Sequence, residues 1–162
     1  ISGGDVGPGL TDAAFAGIAA AFLAHQVIVI RDQSLSPAEQ KDFSRRFGEL
    51  EHHISEKYKR DDHPEVLILS NKKVDGKWVG ATNAGDEWHT DLHYMDRPAK
   101  CTMLHALEVP EEGGETGFIN AYAAYEALPA ATRARIANLR GVNSWNRLRN
   151  PRVAVPEQFG DG

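Results

Sequence analysis

The order of elements along this 162-residue chain predicts an α+β fold, mainly a sheet core decorated by helices. Three observations carry that expectation. Capped helical signatures occupy the start, extended β-branched and alternating stretches carry the polar motifs in the middle, and helical patterns return after Ile119. A regular β-α-β alternation is absent from the pattern.

Thr11 can cap a helix that starts near Asp12, and Phe15, Ile18, Phe22 and Leu23 then give it one apolar face at helical spacing. Residues 27–30, Val-Ile-Val-Ile, form a β-branched run that predicts a buried strand. Ser36-Pro37-Ala38-Glu39 marks a second helix, with Ser36 as cap, Pro37 at the first helical position and Glu39 completing a capping box. That helix is expected to run to about Phe47, where Gly48 stops it. Residues 66–69 predict another strand, and Asp75-Gly76 predicts a hairpin turn. The alternation over 101–109 predicts a sheet strand, followed by a loop at 110–114 and a short strand from Phe118 and Ile119. Two short helices are expected at 121–128 and 129–139, with a return to strand at 142–145.

Composition narrows the function classes. The chain is 41% hydrophobic and 25% charged, ordinary for a globular domain with its own core. A net charge of −5 gives no electrostatic footprint for nucleic acid, and the local Arg147, Arg149 and Arg152 cluster reads as a solvated surface. The longest apolar segment, 13–24, is alanine-rich and too short to span a bilayer. No basic-then-apolar leader opens the chain, and the single Cys101 excludes an intrachain disulfide, so a cytoplasmic setting is expected. The chain opens on Ile1 and closes on Phe159-Gly160-Asp161-Gly162, the pattern expected of a single domain truncated or incompletely ordered at its C-terminal end.

The chemistry concentrates in Glu87-Trp88-His89-Thr90-Asp91. On an extended strand, His89 and Asp91 share a face because side chains alternate with period two. One imidazole and one carboxylate can then reach the same ion, and a distant second His would complete a two-His-one-carboxylate triad, which suits non-haem iron(II). A zinc hydrolase built on His89, Asp91 and His93 is an alternative reading of the same residues. His93 shares the face by parity but sits farther along the strand. His105 reads as a core or surface histidine, and Trp88 as a packing residue on the opposite face.

Several motifs in order give the wider resemblance: Phe47-Gly48-Glu49-Leu50, Trp88-His89-Thr90-Asp91, Arg97-Pro98, Gly113-Gly114-Glu115-Thr116, and Ala123-Ala124-Tyr125-Glu126-Ala127-Leu128-Pro129. From about Gln26 to Leu139 the chain resembles the taurine dioxygenase and 2,4-dichlorophenoxyacetate dioxygenase family. The resemblance implies a double-stranded β-helix, a cupin-like jelly-roll, with flanking helices, incomplete in this chain. It implies an Fe(II)- and 2-oxoglutarate-dependent dioxygenase that uses O2 to hydroxylate a small, anionic organic substrate such as a sulfonate or aryloxyalkanoate, yielding succinate and CO2. His89 and Asp91 inherit the metal-ligand roles, and Thr116 the contact to a 2-oxoglutarate carboxylate oxygen. His53, with His52 beside it, falls where the taurine enzyme places a substrate-contacting His.

The chain departs from the taurine enzyme in two places. Gly85 aligns where that enzyme has an Asn, the nearest candidate being Asn83, and Tyr58 lies slightly beyond the expected Tyr. The first departure points away from taurine itself. The family's second metal His and its 2-oxoglutarate-binding Arg lie well beyond the first His and have no counterpart here. A catalytically inactive relative that binds a small anion or a metal is therefore the competing reading. Family members are often dimers or tetramers, so a homo-oligomer is also implied.

Overall fold

The computed structural model describes residues 1, 4–51, 58–82, 85 and 88–143. The chain divides into two compact units: residues 1–91 with 99–105, and residues 92–98 with 106–162.

In the first unit, helix α1 (Asp12–His25) begins where Thr11 accepts a hydrogen bond from the Ala14 amide. It ends at Gln26, whose left-handed backbone (φ 64°) closes the last turn on Phe22. Helix α2 (Pro37–Arg45) carries the capping box as expected: Ser36 caps the Glu39 amide, and Glu39 returns a bond to the Ser36 amide at 2.8 Å. It stops two residues short of Phe47, because the turns from Arg46 to Gly48 tighten into i→i−3 bonds.

The core is small. Val6, Ile18 and Phe43 are buried, and Leu10, Phe15, Ile28, Ile30, Leu35, Phe47 and Met103 pack against them. Phe15, Phe43 and Phe47 meet edge to face, with centroids 4.9 to 6.3 Å apart, and Phe22 joins through Phe47. The Arg46 guanidinium lies 4.4 Å over the Phe15 ring and pairs with Asp12, tying the start of α1 to the end of α2. Leu23, expected on the apolar face of α1, is exposed instead, since the core meets a narrower stripe through Phe15, Ile18 and Phe22.

The extended segments differ from expectation in pairing rather than in position. Residues 27–30 form no sheet strand. Ile28 and Ile30 face the core while Val27 and Val29 are exposed, so the run is covered on one face only, and Ile1 bonds its backbone at Val29 and Arg31. Residues 66–70 are paired on both sides, by Tyr58–Arg60 on one and by Ala81 on the other, as isolated bridges. Gly80 is obligatory there, since a Cβ would stand 2.7 Å from Ile68 O and Ser70 N. The hairpin forms as predicted: β1 (Lys73–Val74) pairs antiparallel with β2 (Lys77–Trp78) across Asp75 and Gly76, at φ 50° and 76°.

In the second unit, α3 (Ala121–Glu126) is capped by Asn120, and α4 (Ala130–Ile136) follows Pro129. Both are shorter than expected. Phe118 and Ile119 are exposed and outside any strand. Residues 101–109, expected as one sheet strand, form none and are split between the units at Ala106. Residues 142–143 are not in a strand, and 144–145 lie outside the described residues. The jelly-roll expectation therefore meets a single two-stranded sheet among the described residues. A strand persists only where a neighbour takes up its backbone N–H and C=O groups along its length, and the β1–β2 pair is the one ladder that does so among the described residues.

Candidate metal centre

His89 and Asp91 lie in the first unit. The segment 88–90 is not in a sheet, contrary to the strand expected, and the chain turns immediately after: Leu92 takes φ 51° and Met95 N bonds Leu92 O. The period-two register that placed His93 on the same face thus ends at Asp91. Even so, the two side chains converge. His89 Nε2 lies 3.1 Å from Asp91 Oδ1, with both side chains about half exposed.

That separation tests the donor set. At 3.1 Å the two atoms are within hydrogen-bonding reach of each other, and two donors that close could both approach one cation. A neutral imidazole nitrogen and a carboxylate oxygen are suitable ligands for iron(II), so the pair fits the metal that the motif implies. Among the described residues no group of three or more His, Cys, Asp and Glu side chains gathers into a fuller cluster.

A third side chain completes the local geometry. Thr102 Oγ1 donates to Asp91 Oδ2 at 2.7 Å, so the two carboxylate oxygens face different partners. Sequence reasoning missed Thr102. Its only signal was a hydroxyl at an exposed position between half-buried Cys101 and Met103. Gly85, at φ 90°, lies beside His89: a Cβ there would stand 3.7 Å from His89 Cε1. His105 Nε2 is 3.4 Å from Gln33 O, matching its bland reading. Burial pushes the Cys101 thiol up from its ordinary range, with Lys100 opposing. Trp88, expected to pack, is 71% exposed.

Thr116 lies in the second unit, exposed and outside any regular element. The glycine turn before it is real: Gly113 and Gly114 sit at φ 79° and 77°, where a side chain would be strained. His53 and Asn83, with His52, lie outside the described residues.

Comparison with known proteins decides the lineage. Residues 3–160 match the model of the "Taurine catabolism dioxygenase TauD, TfdA family". The chain belongs to the TauD/TfdA family. Among its relatives is the alpha-ketoglutarate-dependent 2,4-dichlorophenoxyacetate dioxygenase of Cupriavidus pinatubonensis, 35% identical over 70% of this chain and 43% of the relative. The (S)-phenoxypropionate/alpha-ketoglutarate-dioxygenase of Sphingobium herbicidovorans is 33% identical over 83% of this chain and 46% of the relative. Pentalenolactone F synthase of Streptomyces arenae is 36% identical over 70% and 39%. The chain thus spans less than half the length of these relatives. No solved structure matches the chain significantly. Among the described residues no helix is long and apolar enough to cross a membrane.

Proposed function

We propose that the protein is an Fe(II)- and 2-oxoglutarate-dependent dioxygenase that hydroxylates a small anionic substrate, of the aryloxyalkanoate or sulfonate type. The observation that carries the reading is the 3.1 Å convergence of His89 Nε2 and Asp91 Oδ1 within a TauD/TfdA-family chain. Two of the relatives are named for aryloxyalkanoate substrates and for alpha-ketoglutarate, which supports the co-substrate and favours an aryloxyalkanoate over taurine.

In this reading His89 Nε2 and Asp91 Oδ1 hold iron(II), and the family's second metal His has no counterpart among these 162 residues. Bound iron(II), with 2-oxoglutarate and O2, supplies oxidative decarboxylation to succinate and CO2 coupled to C–H hydroxylation. The protein's own groups bind and orient. The Thr116 hydroxyl donates to a carboxylate oxygen of 2-oxoglutarate, a charge-assisted bond of the stronger kind. The imidazole of His53 donates to the substrate's anionic group, with Asn83 as a second polar contact. The assembly works as a cytoplasmic homo-oligomer.

An anaerobic titration of the intact protein with iron(II) and 2-oxoglutarate tests this. A weak visible charge-transfer band is expected, and succinate should form when O2 is admitted. His89→Ala should abolish the band. A band that survives unchanged in that variant overturns the ligand assignment, and binding without succinate indicates the inactive relative.

A further inference from the structure

Asp91 offers two oxygens and about four acceptor sites, so by itself it can grip a cation through one oxygen or both. The structure distinguishes the two. Oδ1 faces His89 Nε2, whereas Oδ2 accepts the Thr102 hydroxyl at 2.7 Å. Thr102 arrives from eleven residues along the chain, on a segment anchored in the first unit. Its neighbour Met103 packs against the core cluster of Val6, Ile18 and Phe43, with its sulfur 3.2 Å from Ser44 Oγ. Residues 101, 103 and 105 are half-buried while 102 and 104 are exposed, so the alternation that seats Met103 turns Thr102 the other way, onto Asp91.

We infer that Thr102 is a positioning residue for the metal centre: its hydroxyl engages Asp91 Oδ2 and presents Oδ1 alone to the ion. The inference rests on the ligand roles proposed for His89 and Asp91. A hydrogen bond to an ionised carboxylate is charge-assisted, and partners behind a metal ligand fix its orientation. Holding one oxygen back makes Asp91 a one-point ligand, which preserves open positions on a six-coordinate ion. It also disfavours large cations such as Ca²⁺, which readily take carboxylates through both oxygens.

Cobalt(II) serves as a spectroscopic probe that needs neither O2 nor turnover. The intact protein, Thr102→Val, Thr102→Ser and Asp91→Ala are titrated anaerobically with cobalt(II), following its visible d–d bands, with circular dichroism confirming that each variant folds. Thr102→Val should weaken cobalt(II) binding roughly tenfold and alter the d–d bands, whereas Thr102→Ser keeps the hydroxyl and should bind like the parent. Calcium competition should strengthen in the Val variant only. If Asp91→Ala loses cobalt(II) but Thr102→Val binds it as the parent does, Thr102 has no positioning role. If Ser is as weak as Val, shape rather than the hydroxyl is responsible, and the inference fails. If Asp91→Ala itself binds unchanged, the ligand assignment beneath it is what falls.

Discussion

The Lys41–Glu65 pair ties α2 to the 58–70 segment, and its removal should be costly. Lys41 Nζ lies 2.7 Å from Glu65 Oε2, with the two side chains only 14% and 15% exposed, and Arg45 adds a weaker contact at 3.9 Å. At an effective dielectric near 20, two unit charges at that distance attract by about 6 kcal/mol. Desolvation of the two ions, of the order of several kcal/mol each, offsets most of this, so the intact pair contributes little net stability. Removing one partner is different, because the other charge stays in place with weaker contacts only, Arg45 at 3.9 Å from Glu65 or His63 at 3.5 Å from Lys41. Glu65→Gln or Lys41→Met alone should each cost about 3 kcal/mol, the low end for a buried pair because some solvent contact remains. The double variant should recover most of that, costing about 1 kcal/mol, so the coupling energy is about 5 kcal/mol in magnitude. Urea unfolding of the four proteins in the cycle measures it, and 1 M NaCl should change the coupling little. Hydrogen exchange at the Val66 and Ile68 amides, both bonded within the clamped segment, reports the same loss locally. A coupling below about 0.5 kcal/mol would place the pair with ordinary solvated surface bridges and refute the reasoning.

Two further expectations concern the scaffold. Phe43→Ala removes one of the three buried side chains among the described residues and its edge-on contacts to Phe15 and Phe47, so it should destabilise the protein by about 3–5 kcal/mol in urea unfolding. Ser36→Ala removes the α2 cap and should cost about 1 kcal/mol at neutral pH. The Ser36 hydroxyl and then its amide hold the Glu39 carboxyl below its ordinary range. Stability from that bond is therefore present above the ordinary carboxylate pKa and is lost as pH falls through the lowered value. Unfolding curves across that acid range should show a shallower decline for Ser36→Ala than for the parent, and parallel declines would count against the capping box.

The features legible in the sequence are those written in consecutive residues. Thr11, the Ser36–Glu39 box and the Asp75-Gly76 turn each satisfy their own backbone within a few positions, and Gly113 and Gly114 take the positive φ that glycine allows, so their identities suffice to place them. Contacts between distant positions were not legible. Nothing local marks Lys41 for Glu65 or Thr102 for Asp91, and Gly80 gives no hint that the 66–70 backbone passes against it. The extended segments show the same division. Over 101–105 the burial does alternate, with Met103 packed against the core, but the strand expected there does not form, because strand formation depends on a partner edge that no single segment encodes.

The candidate site follows the same logic, and it explains why a motif argued from strand geometry survives without a strand. A spacing of two residues keeps His89 and Asp91 within reach in any extended backbone, so a sheet ladder is not required to bring them together. A ladder would fix the direction of each side chain, and without it the carboxylate needs some other restraint against rotation about its own bonds. The hydroxyl of Thr102 meets that need from a segment whose anchor is the aromatic core between α1 and α2. The orientation of the Asp91 carboxylate is thereby tied to the packing of the Met103 segment against the core rather than to backbone pairing at Asp91 itself. His89, Asp91 and Thr102 all belong to the first unit, whereas Thr116 belongs to the second. Substitutions at these three first-unit positions therefore test the proposed ligands and their restraint without reference to Thr116.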